Sequence, residues 1–204
     1  MARKNNNNFS TQLEKWINSK TAKTLGDLDE VFAEKSFAIA ILILMSIPAL
    51  PIPTGGITHV LEVITLILAG QILIGQKTIW IPKRWKNKAV NGKIQRKGLS
   101  GLLKFIRFFE RFSKPRWAHL VIGRLGQVVF SITVIVFTLF AMFAPPFSGL
   151  DTLPALGVVI LCLSIILEDV ALSIAGLLVG SGGIVLIFTI GKVLFDAIKH
   201  FFFN

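Results

Sequence analysis

Tyrosine is absent from this chain of 204 residues, cysteine occurs once, histidine three times, and acidic residues number half the basic ones. A lone Cys162 inside an apolar run excludes a disulfide framework and a CxxC metal site, and reads as a small membrane-core residue. His59, His119 and His200 are too scattered for metal-ligand spacing. There is no GxSxG, no HExxH, no phosphate-binding loop and no dinucleotide fingerprint. No enzymatic activity, metal or cofactor is therefore expected. Charge is scarce too. Only 16% of residues are charged against 53% apolar, with a mean hydropathy of +0.70, whereas soluble domains carry about one quarter charged residues. That balance describes an all-α, polytopic integral membrane protein. The opening MARKNNNNFSTQLEKW has neither the short apolar core nor the small-residue cleavage site of a signal peptide. The apolar run from Ser36 is thus expected to persist as a membrane segment.

Two apolar runs are interrupted in the same way. One begins FAIAILILMSIPALPIPTGG at Phe37, the other FSITVIVFTLFAMFAPPFSG at Phe130, and sliding by 93 positions (130 minus 37) aligns them without a gap. Pro53 then meets Pro146, Gly56 meets Gly149, Leu68 meets Leu161, and Thr58 meets Asp151. Pro and Gly at membrane depth are tolerated only beside protein or a water-filled cavity, and paired interrupted segments point to a transporter-like site. The expected organisation is a single membrane domain over 1–204. It comprises an amphipathic N-terminal segment (1–35), a first broken helix pair (36–75), a basic linker with an amphipathic helix (76–124), a second broken pair (125–169) and a C-terminal membrane helix and tail (170–204). If every segment crosses, the two halves are parallel; if the broken pairs are re-entrant hairpins, inversion is open. In the last run, Gly176 and Gly180 form a GxxxG pair suited to close helix contact.

The net charge of +11 is concentrated. From Lys77 to Arg124 fourteen basic residues face one acidic residue, Glu110, while residues 1–35 carry six basic and five acidic. Between apolar spans the positive-inside rule explains such a block without nucleic acid, and places the 76–124 linker in the cytoplasm of a multi-pass protein. Trp80 and Trp85, bracketing Pro82 among basic residues, read as interfacial anchors. Residues 99–113 put Leu102, Leu103, Phe105, Ile106, Phe109 and Phe112 on one face and Lys104, Arg107 and Arg111 on the other. Such a basic amphipathic helix suits the membrane surface, or a partner.

The candidate site follows from the breaks and from the ionisable groups inside apolar runs, which are costly there and functional by default. It consists of Pro53, Thr54, Gly55, Gly56, Thr58, His59, Glu62 and Gln71 in the first half, and of Pro146, Gly149, Asp151, Glu168 and Asp169 in the second. Thr58 and Asp151 could also be early cap-region residues bonded to local backbone, and Glu168–Asp169 a solvated helix end.

The run Leu50-Pro-Ile-Pro-Thr-Gly-Gly56, then Ala69-Gly-Gln71, Gly75 and Trp80-Ile-Pro82, resembles the ExoD family of bacterial membrane proteins. Pro115-Arg116 and Leu153-Pro154-Ala155, followed by the acidic pair and a Gly-rich run, fit it too. The resemblance implies a bacterial inner (plasma) membrane protein associated with exopolysaccharide production, and it brings no catalytic residues. The expected function is permeation of a small solute or ion through a site between the breaks. The alternative is a non-transporting accessory that scaffolds polysaccharide synthesis or export machinery. A bundle this thin is expected to form a homodimer in the lipid bilayer.

Overall fold

The structure, a computed structural model, describes residues 10–11, 14–15, 35–51, 57–80, 103–104, 106–111, 113, 123–144 and 148–203; for 57 and 194–203 only the backbone is described. Among the described residues the fold is carried by the helices α1 (Ser36–Met45), α2 (Ile57–Ile74), α3 (Arg124–Phe143), α4 (Thr152–Leu167) and α5 (Val170–Phe203). Every regular element among the described residues is helical. Two stretches, Arg124–Phe143 and Val170–Val193, are long and apolar enough to cross a membrane, whereas α1, α2 and α4 are shorter apolar helices.

Helix α1 stops earlier than its apolar run. The aligned repeats centre the break on Pro53 and Gly56, but the helix ends at Met45 and residues 46–50 form turns. Pro48 has no N–H to return to Leu44 and its ring clashes with that carbonyl. Ser46 meanwhile turns its hydroxyl back to Leu42 O at 2.5 Å. The ten residues of α1 are about 15 Å long, half of the ~30 Å hydrocarbon core. Most of them are buried, Ile39, Ile41, Leu42 and Met45 being at most 1% exposed, while Ile43 faces outward.

Helix α4 is the other central element, packed on α1, α3 and most extensively on α5. The α4–α5 approach is set by glycine. A methyl added at Gly157 would lie 2.6 Å from the Gly180 Cα, and one at Gly183 would lie 2.5 Å from Pro154 Cδ. The GxxxG pair thus lies against α4, its backbone close enough that dispersion and weak backbone contacts hold the seam. Away from that seam α5 leaves Ile174, Leu178, Val185 and Phe188 exposed, and α3 does the same with Leu125, Val129, Ile132 and Phe143. Apolar surface this extensive is unfavourable in water and suits lipid.

Of the amphipathic linker segment, two apolar residues among those described face the protein, while Phe108 is exposed. Leu103 and Ile106 are buried in the common core. Arg107 pairs with Glu14, and Ser10 gives its N–H to Glu110 Oε1 at 3.0 Å and its hydroxyl to Oε2 at 2.5 Å. Lys104 and Arg111 are exposed.

Candidate functional site

Helices α2 and α3 run antiparallel. Arg124, the first residue of α3, donates from Nη1 to Ile72 O (3.0 Å) and from Nη2 to Leu73 O (2.9 Å), in the last turn of α2. Further along, the Ser131 hydroxyl donates to Ala69 O. Moving two turns (about seven residues) beyond that contact in each helix reaches Thr138 on α3 and Glu62 on α2.

Glu62 is fully buried. Its Oε2 lies 2.9 Å from His59 Nδ1, the separation of a hydrogen bond in which Nδ1–H donates to the carboxylate. The His59 side chain is 42% exposed, so this pair links the interior to the surface. Among the described residues Glu62 Oε1 has no hydrogen-bond partner, and neither have the hydroxyls of Thr65 and Thr138, both fully buried. Threonine in an apolar helix ordinarily returns its hydroxyl to a carbonyl one turn back. Thr133 and Thr189 do so, at 2.8 Å each. Thr65 and Thr138 do not. A buried acceptor without a donor costs about 1–3 kcal/mol, and more if charged, so three such oxygens on one seam are held against a cost. Asp151, on the N-terminal side of α4, is near enough to Glu62 for their like charges to interact. Asp151 occupies the N-cap position of α4, but its side chain makes no capping hydrogen bond. The cap-bonding role open to it in the sequence is therefore not the one it takes.

The structure separates the residues expected in one site. Thr58, His59 and Glu62 at the start of α2, with Gly149 and Asp151 before α4, belong to the break end of the bundle. Gly149 adopts the left-handed φ of +68°, which glycine accepts at no steric cost. Pro53, Thr54, Gly55, Gly56, Pro146 and Trp85 lie outside the described residues. Gln71, Glu168 and Asp169 stand at the opposite end. Gln71 Oε1 accepts the Trp80 N–H at 2.7 Å, fixing the chain that leaves α2 and leaving the Trp80 ring exposed. Glu168 ends α4 in a left-handed conformation and pairs with Lys35 Nζ at 2.6 Å; the same ammonium donates to Ile166 O at 2.9 Å. Asp169 caps α5 by accepting the Ala171 N–H at 3.0 Å on Oδ1, while Oδ2 accepts the Ser113 hydroxyl at 2.9 Å. Asp169 is buried and Glu168 is partly exposed but ion-paired, and neither belongs to the break-end site. They are joints.

Thr65 and Thr138 were not among the expected site residues. The available signal was spacing: Thr58, Glu62 and Thr65 fall at i, i+4 and i+7 on one face of α2. A separate groove of about 260 Å³ between α3, α4 and α5, lined by Leu125, Val129, Leu161, Ile165 and Leu177 among others, is apolar and offers little to a polar ligand. Among the described residues no three His, Cys, Asp or Glu side chains gather as a metal cluster.

Comparison with known proteins adds a family. The model described as "Exopolysaccharide synthesis, ExoD" matches residues 9–189. An uncharacterized protein of Synechocystis sp. is 30% identical over 171 residues, which cover 84% of this chain and 76% of that protein. No solved structure matches the chain.

Proposed function

The chain belongs to the ExoD family, membrane proteins linked to exopolysaccharide synthesis, and from that premise we propose that it moves a small solute or ion across the bacterial inner membrane in support of polysaccharide production. One observation carries this reading: Glu62, fully buried in an apolar bundle, keeps a carboxylate oxygen without a partner. Stability alone would favour a hydrocarbon there. The pathway runs past Thr58, His59, Glu62 and Asp151, on the side where both chain breaks lie.

The same reading takes the chain as two parallel repeats related by a two-fold axis along the membrane normal. Several contacts support it. Gly75 and Glu168, which are 93 positions apart (168 minus 75), both end their helices with positive φ. Leu73 O and Ile166 O, at the same separation, each accept from a basic side chain at the start of the other half's first helix, Arg124 or Lys35. Arg107 and Glu14 are themselves 93 apart and pair directly, as residues flanking a two-fold axis do. An axis in the membrane plane would separate the two amphipathic segments by the bilayer. In this arrangement the breaks share the far side and the basic linker lies in the cytoplasm. A second copy would widen the thin bundle, so a homodimer is part of the proposal.

Purified protein in liposomes tests the function. Solute or ion flux should appear and should fall to background in Glu62→Gln and Asp151→Asn. If liposomes stay tight while changes at Lys104, Arg107 and Arg111 abolish polysaccharide output in cells, the accessory role replaces transport. The burial of Leu103 and Ile106 in the chain's own core argues against a scaffold built on that segment's apolar face.

A further inference from the structure

The three unpartnered oxygens on the α2–α3 seam have a ligand chemistry of their own. Glu62 Oε1 is an acceptor, and the hydroxyls of Thr65 and Thr138 can each offer a lone pair. Glu62 and Thr65 share a face of α2 one turn apart. The antiparallel register fixed by Arg124 at Ile72 and Leu73, and by Ser131 at Ala69, brings Thr138 level with Glu62. Thr65 and Thr138 forgo the back-bond that Thr133 and Thr189 take, which frees their oxygens for something else. An anion is excluded by the carboxylate and by Asp151 nearby. A divalent cation takes six or more oxygens, with several carboxylates for Ca²⁺ and several retained waters for Mg²⁺; this buried seam supplies one carboxylate.

We infer that Glu62, Thr65 and Thr138 form a binding site for a partly dehydrated monovalent alkali cation on the α2–α3 seam. The carboxylate supplies the charge that offsets dehydration, the two hydroxyls complete one side of the shell, and water fills the rest. His59 holds the other carboxylate oxygen, which directs Oε1 toward the ion. This rests on the permeation reading and names the class of ion that it would use.

The test is equilibrium binding of radioactive Na⁺ to the purified full chain in detergent, with K⁺ and choline as competitors, beside thermal unfolding in the same buffers. The expected result is saturable binding with Na⁺ displaced by K⁺ but not by choline. Na⁺ at ten times its Kd should raise the Tm by about 3–6 °C over choline. Glu62→Gln should lose binding, Thr65→Val and Thr138→Val should weaken it about tenfold or more, and Thr133→Val should leave it unchanged. Each variant must retain its unfolding transition. Absence of saturable binding to folded wild type overturns the inference, as does a folded Glu62→Gln that binds like wild type. Solute flux without cation binding would overturn this site and leave the permeation reading standing; cation binding in a protein that passes nothing would do the reverse.

Discussion

At the α4–α5 junction, Asp169 is 3% exposed and both of its carboxylate oxygens accept hydrogen bonds. At the far end of the bundle, Glu62 is fully buried and one oxygen accepts none. The chain treats two buried acids in opposite ways. Around Asp169, Lys35 and Ser113 come from distant parts of the chain to satisfy acidic groups or a helix end. Around Glu62 the neighbouring threonine hydroxyls are themselves unpartnered. Satisfied polar groups make a joint, and unsatisfied ones leave a capacity to bind.

Substitutions can break that contrast, and the largest effect belongs to the joint. Asp169→Ala removes the acceptor for Ser113 and the cap of α5, and should cost about 2–3 kcal/mol. This is read from the midpoint of thermal or denaturant unfolding in detergent. Flux per folded molecule should be unchanged. Should Asp169→Ala instead abolish flux without loss of stability, the junction would be part of the pathway.

Next in size is Glu62→Met, which exchanges an unpartnered carboxylate for an apolar side chain of similar volume. It should leave stability unchanged or raise it by about 1 kcal/mol, because His59, already partly exposed, can turn to solvent. Flux should fall to background all the same. A loss of several kcal/mol would mean that Glu62 is a structural group whose partner has gone unseen.

Lys35→Met and Arg124→Met each remove a basic group from helix C-terminal carbonyls. Each should cost about 1 kcal/mol. Similar losses from the two would sharpen the parallel between the halves, and a large disparity would weaken it. Thr138→Val is the smallest perturbation, an isosteric swap of an unpartnered hydroxyl. Its unfolding midpoint should move by less than about 0.5 kcal/mol, so that any change in flux reads function alone.

Much of the helical framework was legible in the chain. The start and end of α2 follow from the glycines that flank it, with Gly75 taking the left-handed φ of +97° at its C-terminal end. The second apolar run and the resumption of helix at about Leu153, against Thr152 in the structure, were equally plain. The early end of α1 was less so. Pro51 and Pro53 mark the break in the linear sequence, although Pro48 already withdraws the N–H that the helix needs. The acidic pair was the harder case. Glu168 and Asp169 look like intramembrane charges in a linear reading, because Lys35 and Ser113, which satisfy them, lie 133 and 56 positions away. Thr65 and Thr138 are hard to read in the sequence for the opposite reason. A threonine in an apolar helix is presumed to satisfy itself locally, and only the packed structure leaves these two hydroxyls without a carbonyl.

What the sequence determined by itself is therefore local: membrane composition, the two interrupted runs, helix ends at Pro and Gly, and the basic linker. Each depends on backbone chemistry or hydropathy within a few residues. Which buried acid became a joint and which kept a free oxygen was decided only by the tertiary structure. Hydrogen-bond satisfaction depends on groups brought together from opposite halves of the chain, and burial makes the outcome energetically consequential.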